Sequence, residues 1–245
     1  MGDYLKDAIL AVVFFMYPFL LLVMSKGLAG MGMRKDSSRK FVHTGMGLVI
    51  LFIPYFTHLW IALIPPILFT AINLIDYKFG WFSQIQGEDQ GNVGTVLYPI
   101  SYIILMSIFF HTKWWGLAVI GILTMALGDA GASIIGRALG KTKYAVNGEV
   151  RSYAGSVTMF VVTFMVALAV LLFKGPEMAI SMTFLSLFAT SFLIASVATI
   201  VEALSTKGSD NLTVPVLTAL ASWALITVFM SNVLGNEGIV KQPLF

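Results

Sequence analysis

Residues 156–173 read SVTMFVVTFMVALAVLLF, and no charged side chain interrupts them before Lys174. A helix needs about 20 mostly apolar residues to cross the hydrocarbon core of a bilayer, and this stretch approaches that length. The same ruler moved outward finds further spans near 7–25, 41–57, 59–76, 93–111, 114–136, 178–201 and 211–234. The second and third are short and are separated only by the region around His58. The fold is therefore read as all-α: a polytopic integral membrane bundle of about eight transmembrane helices, in one domain over residues 1–245.

Composition supports that reading. Apolar residues make up 58% of the chain and charged residues 11%, and the mean hydropathy is +0.89. A soluble domain carries about 25% charged residues, so water alone is not this chain's solvent. There are no cysteines, which excludes disulfides, thiolate metal sites and thiol nucleophiles. Three histidines without an HExxH pair do not make a histidine metal site. The first apolar run follows Asp3, Lys6 and Asp7 rather than a basic segment, and is kept as a membrane helix instead of a cleaved signal.

The loops alternate in character. Lys26, Arg34, Lys35, Arg39 and Lys40 share one loop. Lys78 lies in 77–92. Arg137, Lys141, Lys143 and Arg151 lie in 137–155, and Lys207 in 202–210. The other side holds Lys6, Lys113, Lys174 and Lys241, so eleven basic residues face four. The positive-inside rule puts the rich side in the cytoplasm and both termini outside. A prokaryotic plasma membrane with the active face cytoplasmic is the expected location.

Polar features collect on the basic face in four groups. Arg39-Lys40-Phe41-Val42-His43 opens the second span, and Arg39 and His43 share a helical face. Anchoring to anionic lipid would explain such a group by itself. Gly128-Asp129 follows in the fifth span, with Gly128, Ala132, Gly136 and Gly140 forming a ridge of small residues. That ridge serves helix packing or ligand approach equally well. It does not explain Asp129, an acid placed roughly 10 Å inside the span at 1.5 Å per residue. Lys141, Lys143, Arg151, Gly155 and Ser156 offer cations and backbone amides to a polyphosphate, or form an ordinary positive-inside loop. Finally, Asp210 or Asn211 could cap the last helix, while Glu202 stands unexplained at a membrane boundary. The carboxylates Asp129, Glu202 and Asp210 suit Mg²⁺, which is usually held by one or two carboxylates plus substrate phosphates.

Three strings then acquire a common meaning. Arg39-Lys40-Phe41-Val42-His43 is similar to an RKxxH signature. Gly128-Asp129 through Gly140-Lys141 resembles a GDxxAsxxGxxxGK signature, and Glu202 through Pro215 an EALSxxGxDNLxxP signature. Gly94 to Ser101 looks like the glycine–tyrosine stretch that accompanies them. The chain resembles the polyprenol kinase family: dolichol, phytol and farnesol kinases and CTP-dependent diacylglycerol kinases. One departure is visible, because Ala154 stands where the family commonly has an acid.

The resemblance implies a single transmembrane kinase-like domain. It implies CTP as phosphoryl donor, Mg²⁺ as cofactor and a lipid alcohol as acceptor, a prenol or polyprenol. On this reading Asp129, Lys141 and Glu202 are catalytic, Asp129 as metal ligand or general base. Arg39, Lys40, His43, Gly136, Gly140, Lys143, Arg151, Gly155, Ser156 and Asn211 surround the nucleotide. Asp129, Glu202 and Asp210 are the metal candidates. Membrane lipids are the other partners, and no nucleic acid is expected. Two rival readings are a CTP-dependent lipid-phosphate cytidylyltransferase and a small transporter using Asn73 and Asp76.

Overall fold

The computed structural model describes residues 2–79, 93–175, 177–178 and 182–233. The part of loop 77–92 from residue 80 onward, the end of the last expected span at 234, and Lys241 lie outside them.

Helix α1 (Gly2–Gly30) is followed by α2 (Lys35–Leu48), which runs into two 3-10 turns at Val49–Leu51 and Ile53–Tyr55. The expected second span at 41–57 is thus shifted: its helix begins at Lys35 and its outer half tightens. Pro54 lacks the N–H needed to continue an α-helix there. Helices α3 (Leu59–Ala62) and α4 (Ile64–Phe79) form one apolar column, broken at Leu63 before Pro65 and Pro66. Helix α5 (Gly94–Phe109) is shorter. Helix α6 (Trp115–Leu123), a π-helical turn (Thr124–Asp129) and α7 (Ala130–Leu139) make the next column. Long helices α8 (Tyr153–Lys174), α9 (Phe184–Leu204) and α10 (Asp210–Val233) complete the bundle.

Six of these columns are long and apolar enough to cross a membrane. With the shorter α5 and the α2 column, the described residues form eight helical columns, close to the number expected. Leu5, Val12, Leu20, Val23, Phe173 and Leu185 are all more than half exposed. Such a surface is stable against hydrocarbon and not against water.

Between α7 and α8 the sequence reading placed only a loop. The structure shows a two-stranded hairpin there, β1 (Lys143–Val146) and β2 (Glu149–Ser152), with Lys143 opposite Ser152 and Val146 opposite Glu149. Asn147 and Gly148 both have positive φ, 51° and 84°, as a two-residue type I′ turn requires. Ser152 ends the hairpin and caps α8, its Oγ accepting from Gly155 N at 3.0 Å.

The core centres on the α6–α7 column. In its most apolar stretch 61% of residues are buried in protein, against 17% for α1. Leu117, Ile120, Ile122 and Met125 from this column meet Met159, Ile194 and Ile226 inside the bundle. On the face away from the basic loops, buried Asp7 ties α1 to the turn before α3. It accepts from Thr57 N (2.9 Å), His58 N (2.8 Å) and His58 Nδ1 (2.8 Å).

Gly121 of α6 lies against the Pro215 carbonyl of α10, with no room for a Cβ. Pro215 has no N–H to offer the preceding turn of α10, and the two backbones meet at its own carbonyl. Gly121→Val is expected to cost about 1–3 kcal/mol by overpacking. A thermal melt of the detergent-solubilised protein checks this; an unchanged midpoint would contradict the close approach.

Candidate active site

Five elements bring charge together at the basic end of the bundle. The centre is the π turn. Its wide geometry leaves the Ala126 carbonyl accepting from Thr44 Oγ1 of α2 at 3.0 Å, which clamps α2 to the turn. Gly128 lets the turn approach Met159 of α8; an added Cβ would come within 2.6 Å of its sulfur. The turn presents Asp129, whose side chain is 9% exposed, to Lys40 of α2, and the two form an ion pair.

A second ion pair lies nearby. Arg151 of β2 meets Glu202 at the end of α9, and its Nη2 donates to Ser205 O at 2.8 Å. The pairs are electrostatic neighbours. Asp129 feels Lys40, His43 and Arg151, while Glu202 feels Arg151, Asp129, Asp210 and Lys40. Asp210 in turn feels Asp129, Lys40 and Arg151. The three acids read from the sequence therefore form one charge cluster with two of the predicted cations, although the chain brings them from positions far apart.

His43 lies one turn beyond Lys40 on α2 and stacks on Tyr98 of α5, ring centroids 4.0 Å apart. Tyr98 OH donates to His43 O (3.4 Å) and Tyr102 OH to Met46 O (2.7 Å), so α5 fixes the face of α2 that carries Lys40. The buried His43 Nε2 has no protein partner. Asn211 Nδ2 donates to Gly208 O and Asp210 Oδ1 (both 3.3 Å), which holds the α9–α10 turn, while its buried Oδ1 has no protein partner. Arg39 is partly buried beside this group, and Lys141 and Lys143 are exposed at the base of the hairpin.

Helix packing, one of the two roles open to the ridge of small residues, is visible in their contacts. A Cβ on Gly136 would come 2.7 Å from Ser152 Oγ, and one on Gly155 would come 3.0 Å from Ala132 O. The amide of Gly140 donates to Gly136 O, and that of Gly155 to Ser152 Oγ, both at 3.0 Å. These glycines thus serve the packing of α7 against the start of α8. Ser156 Oγ bonds Tyr144 OH at 2.6 Å and secures the hairpin to α8. The hairpin also reaches the α9–α10 turn, where Asn147 Nδ2 donates to Leu204 O (3.0 Å) and Lys207 N donates to Glu149 Oε1 (3.3 Å).

Among the described residues, no three His, Asp or Glu side chains stand in position to hold a metal ion by themselves. The donors that are present suit a different arrangement. Mg²⁺ is commonly held by one or two carboxylates together with substrate phosphates, so fewer than three protein ligands would suffice. Asn73, which the transporter reading used, donates to Thr95 O at 2.8 Å and ties α4 to α5.

No family model matches the chain, and no solved structure is similar to it. Curated sequences are more informative. A phytol kinase of Synechocystis sp. is 31% identical over 191 residues, covering 77% of this chain and 79% of that protein. The chain belongs to the polyprenol/phytol kinase family. Phytol kinase 1, chloroplastic, of Arabidopsis thaliana is 31% identical over 130 residues, 51% of this chain and 42% of the relative's length. A probable phytol kinase of Triticum aestivum is 26% identical over 211 residues, 78% of this chain and 68% of the relative. Against the Arabidopsis protein the match spans less than half of the relative. Membership gives the ion-paired cluster a family context that the bundle geometry alone does not supply.

Proposed function

We propose that this chain is a membrane kinase that transfers the terminal phosphoryl group of CTP to the hydroxyl of a prenol. The observation that carries the proposal is the Lys40–Asp129 pair, held by a π turn inside a membrane column beside the Arg151–Glu202 pair. A charged donor meets cations at the basic face, and a lipid acceptor reaches the same level through the bilayer.

In the resting arrangement the cations neutralise the acids. An arriving triphosphate draws Lys40 and Arg151 toward its oxygens, and the exposed Lys141 and Lys143 add charge from the hairpin. Asp129 is then released to accept the proton of the prenol hydroxyl. The prenol oxygen forms a bond to the γ-phosphorus, the bond from that phosphorus to the β–γ bridging oxygen breaks, and CDP leaves with the electron pair. Mg²⁺, held by Asp129 with Glu202 or Asp210 and by phosphate oxygens, would supply charge neutralisation on the transferring group. Positioning and neutralisation of this kind are most of what phosphoryl transfer asks of a protein. His43 and Asn211, each with a buried polar atom left over, are the groups for orienting the nucleotide.

The membrane is proposed to be a prokaryotic plasma membrane with the basic face in the cytoplasm, on the strength of the eleven-to-four distribution of basic residues. A single cysteine at position 146 or 207 is expected to react with an impermeant maleimide only after cells are opened. The native chain has no cysteine to confuse the result. Labelling of position 146 in intact cells would overturn the orientation.

The kinase is tested by supplying the purified protein with CTP, Mg²⁺ and geranylgeraniol and identifying the products. Prenyl monophosphate and CDP are expected. A cytidylyltransferase would release pyrophosphate and leave CMP on a lipid phosphate. A transporter would move solute in liposomes without nucleotide.

A further inference from the structure

A groove of about 350 Å³ opens on the membrane-facing side of α8 and α9, walled by Phe160, Phe164, Leu185, Phe188, Ala189 and Phe192. Its rings form a ladder. Phe160 meets Phe192 at 5.1 Å and Phe164 meets Phe188 at 5.4 Å between centroids, both edge to face, and Phe184 packs 4.6 Å from Phe188 on the same helix. We propose that this groove binds the isoprenoid tail of the acceptor alcohol. This rests on the kinase reading above and names where its lipid lies.

Three observations carry it. The first is register. Helices α8 and α9 are antiparallel, and each rung is one helical turn from the next on both helices. Continuing the ladder past Phe160 and Phe192 reaches Ser156 and Ser196, and then the level of Arg151 and Glu202, which are ion-paired. The line of the groove thus leads toward one of the charged pairs of the site, with Arg151 on β2 just before α8 and Glu202 near the end of α9. The second is distance. Phe192 stands ten residues before Glu202, which is about 15 Å at 1.5 Å per residue, and Phe184 stands about 27 Å from it. A prenol with its hydroxyl at the Glu202 level would therefore lay its tail along the rungs toward the middle of the bilayer and beyond. The third is shape and chemistry. The α8–α9 surface is concave and lined with rings braced against each other across the two helices. Rigid rings keep a groove open, and their faces and edges suit the methyl branches of an isoprenoid chain. The hydroxyl of Ser196 is turned back to Phe192 O at 2.8 Å, which leaves the groove wall apolar until the basic face is reached.

The experiment uses the full chain and a geranylgeraniol analogue carrying a diazirine on its tail. After irradiation, adducts are mapped by mass spectrometry with and without excess unlabelled geranylgeraniol, and wild-type turnover of geranylgeraniol is measured on the same preparation. Adducts are expected within 156–196, removed by the competitor, while any on α1 persist. Phe188→Ala is expected to raise the KM for geranylgeraniol about tenfold, the equivalent of 1.4 kcal/mol, and to leave the KM for CTP unchanged. Adducts spread over all lipid-facing helices without competition, or competed adducts confined to other helices, would overturn the groove while the kinase reading stood, provided the wild type still phosphorylated the prenol. Wild-type protein that phosphorylates no prenol would remove the reading on which the groove depends.

Discussion

Asp129→Asn is expected to abolish prenol phosphorylation in a protein that still inserts and folds. Asparagine preserves size and can still hydrogen-bond Lys40, but it can neither accept the alcohol's proton nor neutralise a metal. Loss of a positioned general base alone costs about 10²–10⁴-fold in rate. Loss of a metal ligand adds to that. The substitution also leaves the Lys40 charge without its partner, and breaking a buried pair on one side costs about 3–5 kcal/mol. Lys40 is 17% exposed at its side chain, so it can turn to water and recover part of that cost. The double variant Lys40→Gln, Asp129→Asn separates the effects. It removes both charges, and is expected to melt above the single variant while remaining inactive. Activity of the single variant within a few-fold of wild type would end the assignment of Asp129.

Arg151→Ala is expected to raise the KM for CTP while leaving the KM for the prenol near its wild-type value. A lost charge-assisted contact is worth about 1.5–3 kcal/mol, or roughly ten- to a hundred-fold. Arg151 also joins the hairpin to Glu202 and Ser205. Its planar fork makes both bonds at once, which a lysine cannot do, so Arg151→Lys should recover only part of the loss. A change in prenol saturation alone would show that Arg151 organises the lipid side instead of the donor.

The helical columns and the cluster of acids were readable because both depend on local signals. Apolar runs near 20 residues long declare themselves, and an acid inside such a run demands a reason. Asp129, Glu202 and Asp210 could be placed on one face by counting spans. Their partners could not. Lys40 and Arg151 were assigned to phosphate, and nothing in the spacing showed that each already faces a carboxylate. The π turn at Thr124–Asp129 was equally hidden. Its geometry comes from Gly128 against Met159 and from Thr44 bonding Ala126 O, contacts between distant segments. The hairpin did leave a local trace, the Asn147-Gly148 turn, but strands of four residues are too short to stand out beside a basic loop. Gly136 and Gly140 carried two meanings in the sequence, packing or ligand approach, and the contacts the structure gives them are packing contacts. Tyr98 was quoted only as part of a resemblance, and its stacking on His43 gives it a physical role in holding α2.

The most direct measurement of the central claim follows two labels at once. Purified protein in liposomes is given geranylgeraniol, Mg²⁺ and CTP labelled either at the γ- or at the α-phosphorus, and the organic phase is counted. The account predicts γ-label in prenyl monophosphate, α-label remaining in water as CDP, and neither transfer after EDTA until Mg²⁺ is restored. Alpha-label on the lipid with pyrophosphate in water, or no label on any prenol from folded protein, would contradict it.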